Sequence, residues 1–321
     1  KRKERVDKEV FFEPNCKRMD KKHIAFIWYG MTGRYGQWKD GLWKAMQILE
    51  SKYTVTYHEP NEEIPEDAIV LFWEAPCTAI SPQNSWWYNR VANLPNTKAL
   101  LFAGGPLKYD WINKFDHVFV ESKINHDELT DMRFPSFSTA FGINETIFYS
   151  FYVGKLWWGI HPGTCASWKR QGFVGEALGD KGLVVGREQP NRIDTFGFDR
   201  CRELGCSVLD EQKPEDLAVL VNQSHVCVQT SALWGGGQRV TLEALACNVP
   251  VVCMSDSPKN REYVEESGCG LVVDPDPVKI RKAVEDMMVT DFGTKGRDYV
   301  MSKWTSQHYA DNLSAWIDKQ K

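Results

Sequence analysis

Residues 230–250 read TSALWGGGQRVTLEALACNVP, and this stretch decides the fold. Three consecutive glycines, Gly235, Gly236 and Gly237, stand between an apolar run that closes at Gln229 and a helical pattern carrying a single acid, Glu243. Glycine lets backbone N–H groups approach a ligand closely, and the N-terminus of the following helix offers partial positive charge to a phosphate. A flexible turn is the plain alternative. Position favours a binding loop, because open α/β sheets take their ligands at the carboxyl ends of strands.

Working outward, short apolar runs alternate with longer helical patterns, the mark of βαβ units and a mostly parallel sheet. Residues 249–254 (VPVVCM), 226–229, 182–186 and 270–273 predict strands of a second half. Residues 23–29 (HIAFIWY), 53–57, 68–73, 99–103 and 117–120 predict those of a first half. Trp38, Leu42, Ala45, Met46 and Leu49 recur at the spacing of one helix face. In the second half, Ser257-Pro258 and Asp276-Pro277 read as helix starts, a capping side chain followed by proline in the first turn. The boundary between the halves falls near residues 144–150, and 321 residues suit two α/β domains better than one core.

The composition is ordinary for a globular chain, with 42% hydrophobic and 26% charged residues. No run approaches the length of a membrane-spanning helix. Residues 1–22 are charged and lack the apolar core of a secretory signal. The net charge of -4 argues against broad nucleic-acid binding. Nine cysteines are scattered without CxxC or zinc spacing, which suits a reducing, cytoplasmic setting. No acidic or His/Cys cluster with metal-ligand spacing appears, so no metal and no cofactor is expected.

Residues 230–275 resemble the donor-binding half of the GT-B glycosyltransferases, specifically the large retaining group called family 4. The family pattern stands here as Thr230-Ser231, Gly235-Gly236-Gly237, Glu243, ALACNVPVV at 244–252, and Gly270-Leu271-Val272-Val273. The resemblance implies two Rossmann-like domains facing across a cleft. Residues 1–146 would form the acceptor domain and 147–300 the nucleotide-sugar domain, with 301–321 a helix packing back on the first. It also implies an enzyme that takes a sugar from a nucleotide-sugar, by analogy a UDP-sugar, and retains configuration. Glu243 would bind the donor ribose, and the glycine loop would lie against the sugar and diphosphate. The family's other glutamate is Gly235 in this sequence, which bears on the identity of the sugar more than on the nucleotide. Lys169 falls on the diphosphate-binding lysine; Thr164 replaces the family arginine, and Arg170 stands next to the lysine. A rival alignment places Gly154-Lys155 there. Residues 141–148 match the family's junction, and Trp304, Tyr309, Leu313 and Trp316 of the tail are expected to pack rather than bind.

Lys169 and Arg170, with Arg239, are thus the expected cations at the leaving group. The loop carrying Gly33 and Arg34 follows the first strand, where the resemblance places the diphosphate and acceptor. Glu74, at the end of another strand, is a candidate acceptor contact. Trp86-Trp87 and Trp157-Trp158 could stack on a sugar or base, with core packing as the default. His117 and His161 read as core residues. Two other readings stay open: a nucleotide-sugar epimerase and a non-catalytic nucleotide-sugar binder of the same fold. The acceptor is a glycan, a lipid-linked saccharide, a small molecule or a modified nucleic-acid base, and nucleic acid enters only in that role.

Overall fold

The computed structural model describes residues 21–28, 40–74, 88–102, 110–188, 196–232 and 238–320. Gly33, Arg34, Gly235, Gly236, Gly237, Trp86 and Trp87 lie outside them, and of Glu74 only the backbone is described.

The strands form two six-stranded sheets, parallel throughout. The first holds β1 (His23–Trp28), β2 (Thr54–His58), β3 (Ile69–Glu74), β4 (Lys98–Phe102), β5 (His117–Val120) and β6 (Phe137–Thr139), in the order β2-β1-β3-β4-β5-β6. The second holds β7 (Trp157–Pro162), β8 (Gly182–Val185), β9 (Ser207–Leu209), β10 (Ser224–Gln229), β11 (Val251–Met254) and β12 (Gly270–Val273). Its order is β12-β11-β10-β7-β8-β9. In β4, β5, β8 and β11 every residue is buried. Strands covered on both faces need such continuous apolar runs, and the parallel pairing follows from helical crossovers. The order reverses between β1 and β3 in one sheet and between β7 and β10 in the other, which defines two topological switch points.

Helix α1 (Gly41–Glu50) buries Leu42, Ala45, Met46 and Leu49, and Asp40 caps it by accepting from Trp43 N at 2.9 Å. After α2 (Lys123–Asp131), the second half adds α3 (Gly172–Leu178), α4 (Phe196–Glu203), α5 (Pro214–Asn222), α6 (Gln238–Ala246), α7 (Pro258–Ser267) and α8 (Pro277–Met288). Asp276 caps α8 as its sequence implies, accepting from Val278 N and Lys279 N. Ser257 departs from the reading: its hydroxyl accepts from Asn260 Nδ2 at 3.0 Å rather than from a backbone amide. Asn260 Oδ1 accepts in turn from Thr241 Oγ1 at 2.8 Å, so Ser257 serves to tie α7 to α6.

The tail is also a correction. It forms two helices, α9 (Lys295–Lys303) and α10 (Ser306–Ile317), in place of one. The break at Trp304 and Thr305 lets the backbone leave the helix and bridge the junction segment, where Ile143 N donates to Trp304 O at 2.9 Å. Helix α10 packs along α1 of the first half. The tail aromatics pack as expected. Trp304 meets Tyr263 edge-on at 5.2 Å, and Trp316 stacks on His117 at 5.5 Å. His117 is buried, with its ring nitrogens on Ser136 and Ser138, and burial pushes its pKa down to about 4. Trp157 and Trp158 flank the core, Trp158 under the Arg281 guanidinium. No helix among the described residues is long and apolar enough to cross a membrane.

One core cluster runs through both halves, from Phe26 and Leu49 to Leu245 and Val300, by way of Phe141, Ile143, Trp304 and Tyr309. At its centre three backbones touch. A Cβ on Gly41 would stand 2.0 Å from Gly142 O, and one on Gly142 would stand 2.3 Å from Thr305 O. Backbone cannot yield as a side-chain tip does. Gly142→Ala should therefore cost about 3 kcal/mol of unfolding free energy, at the upper end for overpacking. Urea titration of the purified variant would measure this, and a loss under ~0.5 kcal/mol would contradict the three-backbone contact.

Candidate functional site

The second switch point gathers the loops that follow β7 and β10. After β7 the chain passes Gly163 (φ 153°) and a short turn, Ser167–Lys169, to Arg170, whose φ of 50° is left-handed. Three hydrogen bonds lace this loop to the start of the next. Thr230 Oγ1 donates to Lys169 O at 2.6 Å, Arg170 Nε donates to Thr230 O at 2.8 Å, and Ala232 N donates to Trp168 O at 2.7 Å. The loop after β8 presses in from behind. A Cβ on Gly186 would stand 2.0 Å from Gly163 O, so only glycine fits.

Lys169 is the free cation of this loop. Its Nζ lies 3.6 Å from where a Gly163 Cβ would be, so the missing side chain makes room for the ammonium. Among the described residues no carboxylate pairs with it, and burial pushes its pKa down to about 8. His161 sits fully buried near it, held neutral by burial and by the neighbouring charge, with its pKa near 3. The His161 ring nitrogens, Gln229 Oε1, Ser231 Oγ and Gln171 Oε1 are buried without a hydrogen-bond partner. Such atoms are few in folded proteins; those of His161, Gln229 and Ser231 lie at or just beyond the carboxyl ends of two adjacent strands, and Gln171 stands at the start of α3.

Arg170 differs from the expected diphosphate cation. Its guanidinium forms a two-pronged ion pair with Asp256, at 2.8 and 2.7 Å, just beyond β11. It braces three neighbouring strand ends and leaves Lys169 alone to meet an anion. Thr164 is half-buried, and its carbonyl accepts from Gln171 Nε2 at 2.9 Å. Lys155, of the rival alignment, precedes β7 and donates to Asn222 O and Ser224 O, at the opposite end of the sheet.

Helix α6 leaves the loop after β10 and carries Arg239 and Glu243 one turn apart on one face. Glu243 is 5% exposed; burial and the nearby Asp40 push its pKa up to about 7, and Arg239 opposes them. Arg239 reaches the first domain, donating from its NH1 to Asp40 Oδ2 at 2.8 Å. Burial works against the Arg239 charge, and Asp40, Glu243 and Glu121 more than offset it. Lys169 and Thr230 thus meet where the loops after β7 and β10 touch, while Arg239 and Glu243 share the Asp40 carboxylate of the first domain as a neighbour. Asp40, Asp256 and Glu121 were not singled out from sequence. Asp40 is legible as a helix cap, but its second oxygen has a partner that only the tertiary fold supplies.

The comparisons agree with this architecture. Residues 179–289 match the family model described as Glycosyl transferases group 1. No curated protein sequence matches. Among solved structures, a sucrose-phosphate synthase from Thermosynechococcus elongatus superposes with a TM-score of 0.71 at 14% identity, covering 93% of this chain and 99% of that one. HepE from Anabaena, in complex with UDP and glucose, gives 0.67 at 13% identity, with 93% and 100% coverage. A glycosyltransferase from Rickettsia africae gives 0.66 at 15%, with 94% and 100% coverage. The fold is therefore that of the GT-B glycosyltransferases. The match to the group 1 glycosyltransferase model lies within its second half and supports sugar transfer as the general class of reaction.

The buried Glu243 has a thermodynamic signature. Its pKa is about 7 in the fold, against 4.5 for an ordinary glutamate, so the folded state binds the extra proton between those values. Stability then falls as pH rises through that window. Glu243→Gln should gain on wild type from about pH 4.5 to 7, by up to ~3 kcal/mol, and the difference should level off above pH 7. Melting curves across that range would measure it, and a pH-independent difference would contradict the raised pKa.

Proposed function

We propose that the chain transfers a sugar from a UDP-sugar, with retention, to an acceptor that its geometry leaves unspecified. The observation that carries the reading is Lys169: a half-buried ammonium with no carboxylate partner among the described residues, seated against Gly163 at the second switch point. An unpaired cation held there costs folding energy and suits an anionic ligand. The helix that begins beside it supplies further positive potential through its N-terminus. In HepE a nucleoside diphosphate and glucose are bound on the same fold, which supports UDP as the donor nucleotide.

In this reading the diphosphate lies between Lys169 and the head of α6, and Glu243 accepts hydrogen bonds from the ribose hydroxyls. Unpaired polar atoms of His161, Gln229 and Ser231 are buried at the ends of the strands that carry this loop pair. The anomeric carbon–phosphate oxygen bond breaks, an oxocarbenium-like sugar develops, and the bond to the acceptor oxygen forms on the same face. The leaving phosphate oxygen gathers charge, which Lys169 and backbone amides stabilise without a metal. That oxygen can then take the acceptor proton, so no protein nucleophile is required. Arg170 acts by bracing the loop through Asp256 rather than by touching the diphosphate. The seven described cysteines are buried free thiols, which supports a cytoplasmic setting.

Thermal stabilisation by UDP-, GDP- and ADP-sugars is the first test, since a ligand that binds only the fold raises the melting temperature by mass action. UDP-sugars should give the largest shift. Lys169→Met should then lower kcat/KM for the stabilising donor by about 10²–10³, the loss of one preorganised leaving-group contact. A Lys169→Met enzyme with wild-type kcat/KM, or a protein that no nucleotide-sugar stabilises, would overturn the reading.

A further inference from the structure

Asp40 does two things with one carboxylate. Its Oδ1 accepts from Trp43 N at 2.9 Å and caps α1, while its Oδ2 accepts from Arg239 NH1 at 2.8 Å across the domain boundary. The Asp40 side chain is 8% exposed, so this carboxylate is committed. The Arg239 side chain is 35% exposed, in the first turn of α6. A cation in the first turn of a helix is opposed by the helix dipole. Something outside the helix must hold Arg239 there, and Asp40 does.

The alternative partner for Arg239 is close. Glu243 lies four residues on, the spacing at which arginine and glutamate pair along a helix. Yet no hydrogen bond or ion pair joins these two described residues, and Arg239 turns to the other domain instead. The bridge therefore keeps the cation off the acid.

We propose that Asp40 is a positioning residue of the nucleotide site: by holding Arg239 across the domain boundary it fixes the head of α6 and leaves the Glu243 carboxylate open to the ribose. The inference rests on the reading of Glu243 given above. Without the Asp40 charge, Arg239 turns along its own helix and occupies Glu243, and the nucleotide must displace it. The pair also couples the two domains, because the group that caps the first helix of one orients the binding helix of the other.

The charge balance at Glu243 supports this arrangement. Facing it are Arg239 from its own helix, Asp40 from α1, Cys227 from β10 and Cys247 just beyond α6. Glu121, beyond β5, and Tyr309 of α10 face Arg239. Burial is the largest influence on Glu243, Arg239 lowers its pKa, and Asp40 raises it. Removing the Asp40 charge should therefore let Glu243 ionise at lower pH.

Asp40→Asn separates the two roles, since asparagine caps a helix as well as aspartate but carries no charge. The probe is UDP, titrated by calorimetry into the full-length protein. Asp40→Asn should weaken UDP binding about tenfold with the melting temperature nearly unchanged, and should move the acid limb of the binding profile to lower pH. In an Arg239→Gln background the same change should have less than a twofold effect, because the group through which Asp40 acts is gone. An unaltered UDP affinity and pH profile in Asp40→Asn would reduce Asp40 to a helix cap and overturn the proposal. So would an equal loss in both backgrounds. A wild-type protein that binds no UDP would instead remove the functional reading on which the proposal stands.

Discussion

The site depends on one constraint, the lacing of two loops that leave neighbouring parallel strands. Parallel strands deliver their carboxyl ends to one edge, but loops emerging there have no reason to hold a common shape. Here Thr230, Trp168, Lys169 and Arg170 exchange hydrogen bonds between the two loops, and Arg170 extends the lacing to Asp256 beyond a third strand. The left-handed backbone at Arg170 is the strain this entails, since a non-glycine residue there is uncommon. In return the ammonium of Lys169 is fixed against Gly163 before any ligand arrives. Preorganisation of this kind is what electrostatic catalysis requires, because a donor that has to be moved into place loses its advantage.

The same edge is the least comfortable part of the molecule. Burial depresses the pKa of Lys169 and His161 and raises that of Glu243, so each is held against its preferred charge state. Buried polar atoms without partners add to the cost. The apolar cluster that runs through both halves offsets these penalties.

Much of the frame was legible in the sequence because it follows from local rules. Buried parallel strands must be apolar without alternation, and the runs at 117–120, 182–186 and 249–254 announce themselves. Glu243 and Lys169 were singled out because their spacing resembles a known pattern. Three features were not legible. The tail breaks at Trp304 because a bridge to Ile143, distant in sequence, pulls the backbone out of the helix. Ser257 looks like a cap, yet its hydroxyl is claimed by Asn260 in a network that reaches Thr241. Arg170 reads as a free cation beside Lys169, and only the fold brings Asp256 to it. In each case a partner far along the chain outcompetes a local preference.

The backbone contact among Gly41, Gly142 and Thr305 bears on how the molecule is born. Helix α10 covers α1, from which the whole of the second half separates it in sequence. The N-terminal lobe is therefore a discontinuous unit, whose outer wall is supplied by a helix that follows the C-terminal lobe in sequence. Until that helix is made α1 and His117 lack their cover, so the emerging lobe exposes apolar surface. Synthesis of the C-terminal lobe, rather than the order of the genes' codons alone, sets when the first lobe can close.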